Sequence, residues 1–214
     1  MNEYLNNQTK LFTEGSKKVF ERRQQWDEFE KRALELIKDF ISDAKKIKYY
    51  ESLYVITDKE LPRVRLINQS FIQFYAGKHP IGIQKVELDH DRTQMVSSIS
   101  EDSGCLSIVQ EPKGGVFFIA YPSKSDVLNW KDEFIVLKYF PNAKEIVWHD
   151  IRKAIEFYLR FARYSSVYSE QTFYEKIELW WMKLKFKNIF MYLYKGTAFS
   201  LRVISAAKTG IPAA

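Results

Sequence analysis

The sequence has little of what staples, breaks or anchors a chain. Among 214 residues there is one cysteine, Cys105, so neither an intramolecular disulfide nor a multi-cysteine metal knuckle can form. Glycine occurs 8 times and proline 6 times, both below ordinary usage, which excludes collagen-like and low-complexity chains. No window of about 18 residues is free of charge, so no ordinary membrane span is expected. Even the most apolar stretch, 177–194, carries Glu178, Lys183, Lys185 and Lys187. Met1 to Lys10 is polar and lacks the apolar core of a secretory signal. With a lone cysteine, the expected setting is the reducing cytoplasm.

Several chemical signatures are missing as well. There is no Gly-x-x-x-x-Gly-Lys cradle, no Gly-x-Gly-x-x-Gly turn and no Gly-x-Ser-x-Gly elbow. Nucleotide-binding and serine-hydrolase chemistry of those kinds is therefore not expected, and no small-molecule cofactor is implied.

What the chain does have is apolar and aromatic mass. Hydrophobic residues make up 46% and aromatic residues 16%, enough to bury a core without cross-links. The net charge is +6 and is unevenly placed. Lys183, Lys185, Lys187, Lys195, Arg202 and Lys208 all fall in 183–214, which has no Asp or Glu, and the first 182 residues balance. A basic end beside aromatic residues suits an anionic partner, whether nucleic acid, a lipid surface or an acidic protein face. The competing reading is that these lysines solvate an otherwise apolar helix.

The period of the apolar residues divides the chain into three parts. Residues 9–48 read as one long helix, interrupted near Gly15. Val19, Trp26, Phe29, Ala33, Ile37, Phe40, Ala44 and Ile47 recur at intervals of three and four from Trp26 onward, the spacing of one helix face. That seam is expected to pack within the domain in preference to forming a coiled coil, since it holds fewer than four heptads.

The middle is β-rich. Strands are expected at Tyr50–Thr57, Val64–Tyr75, Ile81–Leu88, Met95–Ile99, Cys105–Gln110, Val116–Tyr121 and Phe134–Tyr139, with turns at Ala76–Pro80, Asp89–Arg92 and Ser100–Gly104. The clearest hairpin joins Cys105–Gln110 to Val116–Tyr121 through Glu111-Pro112-Lys113-Gly114-Gly115. Helical periodicity then returns. Asp150 is the expected cap of a helix over Ile151–Tyr164, and Ser169 of a second one striped by Phe173, Ile177, Trp180, Trp181 and Leu184. Gly196 ends that element, a short last helix over Thr197–Ala207 follows, and Thr209–Ala214 is a tail.

Strands gathered between helical ends imply an α+β fold. The expected form is an antiparallel sheet of about five or six strands, flanked by a long N-terminal helix and two or three C-terminal helices. Residues 1–165 form the core, and 166–214 a basic, aromatic-rich helical region packed on it within one structural domain.

Candidate chemistry is sparse. Asp89, His90 and Asp91, with His79 or His149-Asp150 as helpers, could bind a divalent ion. Consecutive residues of an extended chain point to opposite sides, however, so a polar connection is the simpler reading. Asp102 followed by Glu111 and Lys113 matches the acid, then Glu-x-Lys, pattern of some metal-dependent nucleases. Pro112 and the following glycines make Glu111 and Lys113 turn residues instead. Cys105 opens an apolar strand and reads as a small core residue.

The expectation is therefore a non-enzymatic binding or accessory subunit of a multi-protein assembly, phage-defence systems among the settings such chains serve. Trp180 and Trp181 are the expected protein interface. Lys183, Lys185, Lys187, Arg160 and Arg163 would meet an anionic partner. Another protein subunit is the expected partner. A nucleic-acid binder or metal-dependent nuclease is the first alternative, and a peripheral membrane protein the second.

Overall fold

The computed structural model describes residues 2–60, 70–88, 94–125, 134–182 and 184. Helix α1 (Asn2–Lys46) is followed by strands β1 (Leu53–Thr57), β2 (Phe71–Ala76), β3 (Lys78–Leu88), β4 (Gln94–Asp102), β5 (Cys105–Gln110), β6 (Val116–Tyr121), β7 (Lys124–Ser125) and β8 (Ile135–Phe140). A 3-10 turn (Ala143–Glu145) leads into α2 (Trp148–Ser165), and a third helix, α3, covers 173–182 and includes 184. This is an α+β fold. The antiparallel sheet has five strands in the order β1-β2-β5-β6-β8, and a second sheet of three strands runs β3-β4-β7.

The main sheet is held in register by side chains that alternate between its two faces. Ile72, Phe74 and Ala76 of β2, Leu106 and Ile108 of β5, and Val116 and Phe118 of β6 point to one face. There they pack with Trp26, Phe29, Ala33 and Ile37 of α1 and with Ile155, Tyr158 and Ala162 of α2. Cys105, Val109, Phe117, Ile119, Tyr121 and Val136 form a separate buried cluster. A one-residue slip would exchange the two sets. A bulge between Phe118 and Ile119 adjusts the pairing of β6 with β8.

α1 runs unbroken through Gly15, whose added Cβ would meet nothing within 4 Å. The interruption expected there is absent, because one glycine costs a helix only about 1 kcal/mol. Forty-five residues make a rod of about 68 Å. Its buried positions begin only at Trp26, so the first part projects from the body by about 30 Å. Lys48 ends the helix in the left-handed region (φ 53), and the Tyr49 N–H returns to the Ala44 carbonyl at 2.9 Å.

Several boundaries differ from the periodicity reading. The turn expected at Ala76–Pro80 is reduced to Gly77, and His79 and Pro80 lie inside β3. The turn expected from Ser100 is reduced to Ser103-Gly104, since β4 continues to Asp102. Gly104 (φ 72) is required there, because a Cβ would lie 2.3 Å from the Tyr121 carbonyl oxygen. The cap of α2 is Val147, with Asp150 in the first turn, where its carboxylate accepts the Val147 N–H at 3.2 Å. Thr172 and Glu175 take the place expected of Ser169. The Thr172 N–H donates to Glu175 at 2.9 Å and the Glu175 N–H to Thr172 Oγ1 at 3.4 Å, a reciprocal capping box. The long strand expected from Val64, the polar loop Asp89–Arg92 and the last helix over Thr197–Ala207 fall wholly or partly on residues outside those described.

Candidate functional site

α3 is fastened to α2 by polar side chains on its inner side. Arg163 donates to Glu175, Arg160 to Glu178 at 2.8 Å, and the Tyr164 hydroxyl to the second oxygen of Glu178 at 2.8 Å. The hydrogen bond between them holds the Arg163 guanidinium above its ordinary value and the Glu175 carboxyl below its own. Leu179 and Met182 complete the attachment, packing with Phe161, Tyr164, Ala120 and Ile135.

The other side of α3 is apolar and open. Phe173, Ile177, Trp180, Trp181 and Leu184 fall at intervals of four, three, one and three, which is one helix face, and all five are exposed. Trp180 is 56% exposed and Trp181 62%, their rings meeting edge to face at 5.8 Å. The stripe read from the sequence exists, but it is directed away from the described body, because the acidic side of the helix is what α2 captures. A second apolar surface lies on the projecting part of α1. Leu5 and Phe12, seven residues apart, share one side of the helix there, and both are exposed.

The residues expected to meet an anion divide into two groups. Arg160 and Arg163 lie together on α2 and are engaged by Glu178 and Glu175. Lys183, Lys185 and Lys187 lie outside the described side chains.

A polar site of a different kind lies where the two sheets meet, and the sequence reading named only one of its members, His79. A cavity of about 460 Å³ is lined by Tyr50, Glu51, Tyr54, Gly77, His79 and Tyr168, among others. One lining residue, His79, lies between two carboxylates. Nε2 is 3.1 Å from Glu101 Oε2, and Nδ1 is 3.7 Å from Glu51 Oε1 and 3.4 Å from Ser103 Oγ. Glu101, 1% exposed, also accepts the Ser166 hydroxyl at 2.7 Å and the Val167 N–H at 2.9 Å. Glu51 Oε1 lies 2.9 Å from the Ser103 hydroxyl, whereas its Oε2 is buried with no hydrogen-bond partner. Burial pushes the Glu51 carboxyl up, against the hydrogen bond from Ser103 and the attraction of His79. Glu51 precedes β1, His79 lies in β3, Glu101 in β4 and Ser103 after it, and these places follow from no local motif.

Serine, histidine and glutamate in sequence of contact invite a nucleophilic reading. Ser103 is closed to solvent and its hydroxyl faces oxygens of Glu51 and Gly77, which places it as a structural donor. Among the described residues no three His, Cys, Asp or Glu side chains could hold a metal ion.

The nuclease-like pattern is taken apart by the fold. Asp102 ends β4 and accepts the Gly104 N–H at 3.3 Å. Glu111 lies beyond the far end of β5, about 20 Å of strand away, where it accepts the Tyr139 hydroxyl at 2.6 Å. Lys113 is on the exposed turn. Cys105 is buried in the sheet. Asp150 is engaged by Lys138 at 2.7 Å, and the His149 ring lies against Trp148. Asp89, His90 and Asp91 are outside the described residues.

No family model, curated protein or solved structure matches this chain. Its function is read from its own side chains.

Proposed function

We propose that the chain is a binding subunit of a multi-protein assembly and that the outer face of α3 is its docking surface. One observation carries the reading: Phe173, Ile177, Trp180, Trp181 and Leu184 share an open helix face whose opposite side is tied down by Glu175, Glu178, Leu179 and Met182. Large aromatic side chains held on a fixed element lose little entropy on docking and are enriched at the centres of protein interfaces. The projecting apolar line of α1, with Leu5 and Phe12, supplies a second surface of the same kind. Among the described residues no helix is long and apolar enough to cross a membrane.

The partner surface that fits is an apolar groove with an acidic rim, because the sequence that follows Met182 carries six cations and no Asp or Glu. The test is affinity capture with the tagged full chain, alongside the W180A/W181A double variant. The expected result is one protein retained in stoichiometric amount after nuclease treatment and lost from the double variant, whose melting temperature is unchanged. Retention of nucleic acid that falls steeply with salt, or sedimentation with anionic vesicles in place of a protein, would replace this reading with one of its alternatives.

A further inference from the structure

The projecting part of α1 carries an apolar face whose occupant can be read from its own pattern. We infer that residues 2–14 of α1 pair antiparallel with the same segment of a second copy of this chain. The inference rests on the docking proposal only in treating this part of α1 as a contact surface, and it names what covers it.

The pattern is symmetric. Tyr4, Leu5, Leu11 and Phe12 stand four and three residues before Gln8 and three and four after it. Those offsets fall on one helix face with Gln8 in its middle. All four apolar side chains are more than half exposed, and Phe12 reaches 81%. Because the order reads the same in both directions, a two-fold axis at Gln8 sets Tyr4 against the partner's Phe12 and Leu5 against the partner's Leu11. An isologous contact requires such a self-match, in which residue i meets j while j meets i. At the axis the two Gln8 amides face each other, and each can donate and accept.

The polar groups agree with this register. The charges of the segment, Glu3, Lys10 and Glu14, fall on the opposite side of the helix. The same axis places them across from Thr13, Asn6 and Asn2, so no like charges meet. At the edge of the face the Thr9 hydroxyl already donates to the Leu5 carbonyl at 2.9 Å, and covering it leaves no donor unpaired.

There is room and area for the contact. The body first closes on α1 at Arg22, beside Gly114 of the hairpin. The paired segment ends about 12 Å short of that point, so the two bodies lie at opposite ends of the pair. Covering the four apolar side chains removes about 500 Å² per copy from water. The pair thus buries about 1,000 Å², the lower end for a specific interface, and micromolar association is expected.

The test is analytical ultracentrifugation of the full chain from about 1 to 200 µM. The weight-average mass should rise from that of one chain toward that of two. L5E/L11E, which sets like charges across the axis, should weaken association about tenfold or more, whereas L5K/L11E, which sets opposite charges there, should retain it. Both variants change exposed positions, and near-ultraviolet circular dichroism checks that the body is folded. W180A/W181A should leave the dimer intact, which separates this surface from α3: loss of a captured partner in that variant with the dimer unchanged bears on the docking reading alone. A monomer throughout the range, a dimer indifferent to L5E/L11E, or equal loss in both charge variants overturns the inference. So does a monomer whose captured partner is released by L5E/L11E, which would assign the face to that partner.

Discussion

The Tyr158 hydroxyl is the meeting point of α2 and three strand ends. It accepts the Ala76 N–H at 3.1 Å and faces the Ser103 and Gly104 carbonyls, each at 3.3 Å. One side chain thus closes β2, joins the two sheets at the β4–β5 link, and fixes the helix that carries α3. Burial raises its hydroxyl well above the ordinary phenol.

Y158F should therefore cost about 1–3 kcal/mol in urea unfolding, because it leaves a buried N–H and a carbonyl unpaired without changing the packing volume. A loss below about 0.5 kcal/mol would mean that water takes the place of the hydroxyl.

Three glycines should respond with opposite signs. Gly114 has φ 87, and a Cβ there would lie 2.6 Å from Arg22 Cβ, where α1 crosses the β5–β6 hairpin. A Cβ on Gly115 would lie 2.4 Å from the Tyr139 hydroxyl. G114A and G115A should each lower the melting temperature, by about 1–3 kcal/mol of stability. G15A meets nothing within 4 Å and should raise stability by about 0.5–1 kcal/mol through helix propensity.

Two carboxyls make stability depend on pH in opposite directions. Burial raises Glu51, so its protonated form is favoured in the folded state. Its contribution is complete below the unfolded carboxyl value and is lost as pH rises through the higher folded value. Burial also acts on Asp150, but hydrogen bonds from Lys138 and the Val147 N–H outweigh it and lower that carboxyl. Its contribution is present above the unfolded value and is lost as pH falls through the folded one. Unfolding free energies from acid to neutral pH should show wild type losing ground to E51Q as pH rises. Wild type should lose its advantage over D150N as pH falls.

Glu178 serves two groups, Arg160 and the Tyr164 hydroxyl. E178A should loosen α3 from α2 with little effect on the sheet. The expected readout is faster tryptic cleavage after Lys176, with the hairpin amides still protected from hydrogen exchange. Unchanged cleavage would show that Leu179 and Met182 hold α3 without the polar contacts.

The elements that could be read from sequence are those with a clean period. The seam from Trp26 to Ala44, the hairpin around Gly114 and the α2 face from Ile151 to Ala162 all stand where their spacing puts them. The split into two sheets was not legible, because it turns on Gly104 and Gly77, single residues where the chain changes sheet. The direction of the α3 stripe was hidden for a related reason. Periodicity shows that Phe173 to Leu184 share a face, but Arg160 and Arg163 of another helix decide which face is inward. The cavity cluster draws Glu51, His79, Glu101 and Ser103 from separate elements, and only pairing distances bring them together.

The long first helix also sets an order of events during synthesis. Trp26, Phe29 and Ile37 leave the ribosome before every strand, yet their cover comes from β2, β5 and β6 and, last, from Ile155 and Tyr158 of α2. Until those strands and then α2 emerge, the seam lacks part of its apolar cover. The native contacts that shield it are distant in sequence and slow to form, so the nascent chain is most exposed to aggregation in that interval.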